Sequence, residues 1–195
     1  MASNEVRLIL ASASPRRKEL LGRFRLPFEV IPARGEEAAP WEIPPGDLVR
    51  RLAEAKAAEV ARSVSDPRAV IVAADTVVEL DGRILGKPGT PERAKAMLTA
   101  LSGKTNRVWS GLCVRRGKET RSACECTDVM FRELTAAEID AYIATGEPLD
   151  KAGAYGYQGL ASLFVERIEG DYFNVVGLPL CRLGELLREF GIELL

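Results

Sequence analysis

Apolar and polar positions along the chain alternate between two rhythms. Leu8-Ile9-Leu10 and Ala69 to Ala74 are short, nearly uninterrupted apolar runs of the length expected for interior strands. Phe28 to Ile31 reads as another strand. Asp47 to Val64 instead repeats its apolar residues at helical spacing, with Leu48, Leu52, Val60 and Val64 forming the stripe that would face a core. The Ala69 run stops abruptly at Asp75-Thr76, and alternation resumes through Val77-Val78-Glu79-Leu80. Asp81-Gly82 then predicts a tight hairpin returning through Ile84-Leu85-Gly86. Thr90-Pro91 caps and opens a helix that runs to Leu101 and stops at Ser102-Gly103. Val108 to Val114 and Thr120 to Phe131, joined at Arg116-Gly117-Lys118, predict an antiparallel ribbon solvated on one side. Thr135 with Glu138 is a capping box for a helix through Ile143, ended by Gly146. Leu160 to Ile168 reads as a strand turned back at Glu169-Gly170-Asp171 through Tyr172 to Val176, and Pro179 opens a last helix closed by Gly191. The order of elements predicts an α/β fold with a mixed, twisted sheet and flanking helices. No internal repeat, low-complexity tract or flexible linker interrupts it.

Composition narrows the chemistry. At 195 residues, 47% hydrophobic and 28% charged, the chain can bury a sizeable core as one elongated domain or two lobes. A formal net charge of −1 argues against a general nucleic-acid binder. No segment approaches a membrane span, and the N-terminus lacks the basic and apolar regions of a signal peptide. The four cysteines have no metal-site spacing and are expected to be free thiols in a reducing cytoplasm. Histidine is absent altogether, which excludes Ser-His-Asp and Cys-His mechanisms and His-ligated zinc. Acid–base or metal chemistry must therefore use carboxylates, lysine or tyrosine, and oxygen ligands point to Mg²⁺ or Mn²⁺.

Two stretches and two single residues concentrate candidate chemistry. In Leu8 to Leu21, LILASASPRRKELL, a strand runs into a serine-rich turn, Ser14 has the features of an N-cap and Pro15 of the first helical residue. Serine hydroxyls, orphan N–H groups and the guanidiniums of Arg16 and Arg17 would converge there on a multiply charged anion such as a nucleotide phosphate. The plainer alternative is a solvated basic first turn, although basic residues there oppose the helix dipole. Lys56 falls within the apolar stripe of its helix, so it either snorkels to the rim or aims into a site. Asp75 closes an apolar run, where an ionised carboxylate needs a cation or donors unless it merely caps a turn. In Asp150 to Gly159, DKAGAYGYQG, three glycines, two tyrosines and few apolar anchors predict a shaped loop rather than a core segment. It holds Lys151 and Gln158, the only glutamine, whose amide can offer a donor and an acceptor to a base edge.

These stretches together, SASPRR, AADTVV, LGKPGT, LSGKTNRVWSG, DKAGAYGYQG and GDYFNVVGLPL, resemble the Maf family of nucleotide pyrophosphatases across nearly the whole chain. The resemblance implies a single Maf-like domain over residues 1–195 with the fold shared by Maf proteins and inosine triphosphate pyrophosphatases, two lobes around a cleft. It implies hydrolysis of a nucleoside triphosphate between the α and β phosphorus atoms. Asp75 takes the role of general base and metal ligand, and Glu37, matching the end of an acidic motif, that of second ligand to a divalent cation; Glu36 stays open as its alternative. The resemblance puts Ser12, Arg16, Lys56, Lys87 and Lys151 on the substrate and gives Arg17, Thr76 and Gln158 the choice of base. Three positions depart from the family pattern: Arg34 stands for a usual aspartate, Asn106 for a usual histidine and Tyr157 for an aliphatic residue.

The DKAGAYGYQG stretch resembles the subgroup acting on dTTP and UTP, which implies cleaning of nucleotide pools. Two other readings stay open, 7-methylguanosine triphosphate as substrate and a non-catalytic nucleotide-binding regulator of cell division. The nucleoside triphosphate is the expected partner, with no nucleic acid and no membrane, and a homodimer stays open.

Overall fold

A computed structural model of the protein describes residues 6–34 and 43–195. Its strands form a seven-stranded mixed sheet in the order β2 (Phe28–Val30), β1 (Arg7–Leu10), β3 (Ala69–Leu80), β5 (Thr105–Arg116), β6 (Glu119–Phe131) and β7 (Val165–Glu169), with β4 (Arg83–Leu85) on β3. The chain divides into two compact units, residues 1–75, 110–125 and 177–195 in the first and 76–109 and 126–176 in the second.

In the first unit, β1 (Arg7–Leu10) lies between β2 (Phe28–Val30) and β3 (Ala69–Leu80), parallel to both. Flanked on both edges, β1 must be apolar on both faces, and Ile9 and Leu10 are wholly buried. α1 (Pro15–Leu21) connects β1 to β2. α2 (Pro45–Ser63) lays Ala53, Ala57 and Val60 over Ile9, Ile71, Ala73 and Cys113. Small residues on α2 permit a close approach, closest at Gly111, where an added Cβ would stand 2.1 Å from the carbonyl oxygen of Val49. Leu48, Leu52 and Val60 are buried as their spacing predicts, whereas Val64 is only partly covered. The unit closes with α6 (Leu180–Glu189), which buries Leu183 and Leu187.

In the second unit, β3 turns at Asp81 and Gly82, both in the left-handed region, and pairs antiparallel with β4 (Arg83–Leu85). α3 (Pro91–Leu101) follows, capped by Thr90. The ribbon is β5 (Thr105–Arg116) and β6 (Glu119–Phe131), two strands that begin or end in this unit and continue in the first. α4 (Ala136–Ala144) carries the predicted capping box. β7 (Val165–Glu169) returns antiparallel to β6, and α5 (Tyr172–Val176) ends the unit. Val78, Leu98, Leu101, Phe131, Tyr142 and Phe164 belong to its core, with Tyr142 and Phe164 meeting edge to face at 5.1 Å.

Three expectations are corrected. β3 does not stop at Asp75 but runs unbroken for 12 residues. The segment from Leu160 is a 3₁₀ turn before β7 begins at Val165, and Tyr172 to Val176 is helical. Asp150 to Gly159 is also more than a surface loop, since Ala154 and Tyr155 are buried in the core. The Tyr155 hydroxyl donates to Asn106 Oδ1 at 2.9 Å, and Asn106 Nδ2 donates to the Val129 carbonyl at 3.0 Å. That satisfied pair is what lets a tyrosine-bearing, glycine-rich stretch enter an apolar core. Among the described residues no helix is long and apolar enough to cross a membrane.

Candidate active site

Beyond β1 the backbone makes one more rung, Ala11 N–H to the Val72 carbonyl at 2.7 Å, and then turns into α1. Ser12 is buried, and its hydroxyl accepts from Ser14 N–H at 3.2 Å and from Arg17 Nη1 at 3.4 Å. Ser14 caps α1 as predicted, its hydroxyl accepting from Arg17 N–H at 3.5 Å. Arg17 Nε donates to the Gly177 carbonyl at 2.8 Å, so the guanidinium is braced at the mouth of the strand. Arg16 is half-buried on the same helical turn.

Leu10 pairs with Val72, so Ser12 and Asp75 lie beyond the last paired residues of two neighbouring parallel strands. This is the end of a parallel sheet where α/β proteins assemble polar groups. Alternation puts Asp75 on the face of β3 that Ile71 and Ala73 present to α2. There Lys56 Nζ forms an ion pair with Asp75 Oδ1. Lys56 therefore turns inward rather than snorkelling, and its side chain is 21% exposed against 18% for Asp75. Two partly desolvated charges compensate each other, which is why α2 tolerates a lysine in its apolar stripe. The other carboxylate oxygen is the natural acceptor for a proton or ligand for a hard cation. Glu37, the second expected ligand, and Glu36 lie outside the described residues. Among the described residues no group of three or more acidic, cysteine or histidine side chains could hold a metal alone.

The second unit holds the remaining candidates. Thr76 follows Asp75 but points to the opposite face of β3, the face of Val78. Gly153 packs on Val78, and an added Cβ would stand 2.9 Å from a Val78 methyl. The segment from Asp150 to Gly159 thus crosses the face that Thr76 shares. Two backbone bonds tie that segment and the residue before it to the Lys87 loop: Gly89 N–H to Leu149 O and Gly153 N–H to Gly86 O, both 3.1 Å. Lys87 is exposed between them. Lys151 Nζ donates to the Glu147 carbonyl at 2.7 Å and to Asp150 Oδ1 at 2.8 Å, so its ammonium is held within the loop. Gln158 is exposed.

Two groups escape a reading of the sequence. The Gly177 carbonyl braces Arg17 across a separation of 160 residues, and no local pattern announces a backbone acceptor. Glu147 accepts from the Tyr142 hydroxyl at 2.9 Å and from Leu160 N–H at 3.1 Å. The available signal was the pair of glycines at 156 and 159, which leave room for Lys151 and Glu147.

A family model described as Maf-like protein matches residues 7–190. The chain is 52% identical over 190 residues to a dTTP/UTP pyrophosphatase of Moorella thermoacetica (strain ATCC 39073 / JCM 9320), covering 96% of each protein. It is 48% identical over 187 residues to a dTTP/UTP pyrophosphatase of Bacillus cereus (strain B4264), covering 96% of this chain and 97% of that one. A dTTP/UTP pyrophosphatase of Bacillus anthracis is 49% identical with the same coverage.

Proposed function

The chain belongs to the Maf family, and from that premise we propose that it is a nucleoside triphosphate pyrophosphatase hydrolysing dTTP and UTP. The products are the nucleoside monophosphate and pyrophosphate. The observation that carries this reading is the Asp75–Lys56 pair, which with Ser12 and its partner Arg17 lies just past the last parallel rung between β1 and β3. The names of relatives that are about half identical over nearly the whole chain support it.

Asp75 accepts the proton of the attacking water on the carboxylate oxygen that Lys56 does not hold. As the water oxygen bonds to phosphorus, the α–β bridging P–O bond breaks and its electrons leave with pyrophosphate. Lys56 orients Asp75 through their ion pair, and Arg17 with Arg16, Ser12, Lys87 and Lys151 bind the triphosphate. A divalent cation, Mg²⁺ or Mn²⁺, would be held by Asp75 and Glu37, neutralising phosphate charge and lowering the pKa of water. Thymine and uracil present an N–H between two carbonyls, and the Gln158 amide pairs with such an edge without charge. Arg17 and Thr76 complete the choice of base. The enzyme works in the cytoplasm, where four free thiols stay reduced, and cleans the nucleotide pool.

The test is pyrophosphate release across dTTP, UTP, dCTP, dATP, dGTP and 7-methylguanosine triphosphate, read as kcat/KM. dTTP and UTP should lead the ranking. Preference for 7-methylguanosine triphosphate would overturn the substrate assignment, and binding without release would make the protein a nucleotide sensor.

A further inference from the structure

We infer that the Glu147 carboxylate is a positioning residue that holds the turn presenting Gln158 to the base. Glu147 lies outside the residues given a role above, and the inference rests on the pyrophosphatase reading only for its kinetic consequence. The turn runs from Gly156 through Tyr157 and Gln158 to Gly159, closed by Gly159 N–H donating to Gly156 O at 3.0 Å. Both of its ends are tied to one side chain. On the near side, Gly156 N–H donates to the Tyr142 hydroxyl at 3.3 Å, and that hydroxyl donates to Glu147 Oε1 at 2.9 Å. On the far side, Leu160 N–H donates to Glu147 Oε2 at 3.1 Å.

The glycines fit the same clasp. A Cβ on Gly159 would stand 2.2 Å from Glu147 Oε1, and one on Gly156 would stand 2.7 Å from the Lys151 side chain. The Glu147 carbonyl also receives Lys151 Nζ at 2.7 Å, so the residue that ties the turn also holds the Lys151 ammonium. Burial and the neighbouring Glu147 charge push the Tyr142 phenol well above its ordinary pKa, so it stays a donor at neutral pH. An acidic side chain is required here because both of its oxygens must accept. A glutamine would offer one acceptor and confront Leu160 N–H or the Tyr142 hydroxyl with its own N–H₂.

The experiment compares wild type with Glu147→Gln and Tyr142→Phe by nucleotide ranking, thermal melting and amide exchange. In Glu147→Gln the preference for dTTP over dATP should narrow by about tenfold. The change should come mainly through a raised KM for dTTP, with the rate on dATP nearly unchanged. Protection of the Leu160 and Gly156 amides should fall while the melting transition stays cooperative. Tyr142→Phe keeps the core ring and should expose the Gly156 amide alone, which decides the matter if Glu147→Gln does not fold. Wild-type protection at both amides, or an equal loss on every nucleotide with unchanged ranking, would overturn the inference. If wild type releases no pyrophosphate, the enzymatic reading falls, and amide exchange still decides whether Glu147 holds the turn.

Discussion

Asp75 is a charged residue in the interior of a 12-residue strand, and it persists there because Lys56 supplies the countercharge from α2. Asp75→Asn removes the proposed proton acceptor and the negative charge of the ion pair with Lys56. Turnover should fall on the order of a hundredfold or more, while far-ultraviolet circular dichroism reports an unchanged fold. Wild-type rates from a folded Asp75→Asn protein would take the residue out of the mechanism. The thiols separate by burial in the same way. Burial, reinforced by the charge of Glu54, pushes Cys113 up to about 12, so it holds no thiolate at neutral pH. Cys181 is exposed. A disulfide reagent should therefore modify Cys181 promptly and Cys113 only after denaturation, as peptide mapping would show. That Asp75 needs a cation or donors was legible from its place after an apolar run, the base role came from the family resemblance, and the partner that meets it was not legible. Nothing in the sequence says that residue 56 will face residue 75, because that depends on how α2 lies on the sheet.

At the scale of elements, local chemistry was the readable part. Ser14 with Pro15, Thr90 with Pro91 and Thr135 with Glu138 each mark a helix start within four residues, and all three helices begin there. Elements whose shape depends on distant partners were not readable. Tyr155 enters the core because Asn106 meets its hydroxyl, and β3 continues past Asp75 to pair with β4. Within α4, Glu138 accepts from Arg132 Nη2 at 2.7 Å and from Thr135 N–H at 2.8 Å. The Arg132 bonds, and after them those from Thr135, depress its carboxyl from 4.5 to about 2. A depressed carboxylate contributes stability above its ordinary pKa, and that contribution is lost as pH falls from about 4.5 to about 2. Glu138→Gln should flatten this part of the acid-denaturation profile, and an unchanged acid slope would remove Glu138 as its source. Against α2, Gly111→Ala would force a methyl into backbone. The cost should be about 3 kcal/mol, seen as a lower denaturant midpoint.

For the whole molecule, a sequence with no histidine and with cysteines lacking metal-site spacing points metal chemistry to oxygen donors. Pyrophosphate release should therefore vanish in EDTA and return with Mg²⁺ or Mn²⁺, and full activity after exhaustive chelation would contradict the assignment of Glu37 and Asp75. The two compact units are built from interleaved stretches of chain, the first from three and the second from two. During synthesis the second unit has all its residues once Val176 has been made. The first, which begins at the N-terminus, still lacks Gly177 and α6. The carbonyl that braces Arg17 thus leaves the ribosome after the whole of the second unit. Arg17 must wait for a residue 160 positions further along, so the nascent chain acquires this brace only after every residue of the second unit has been made.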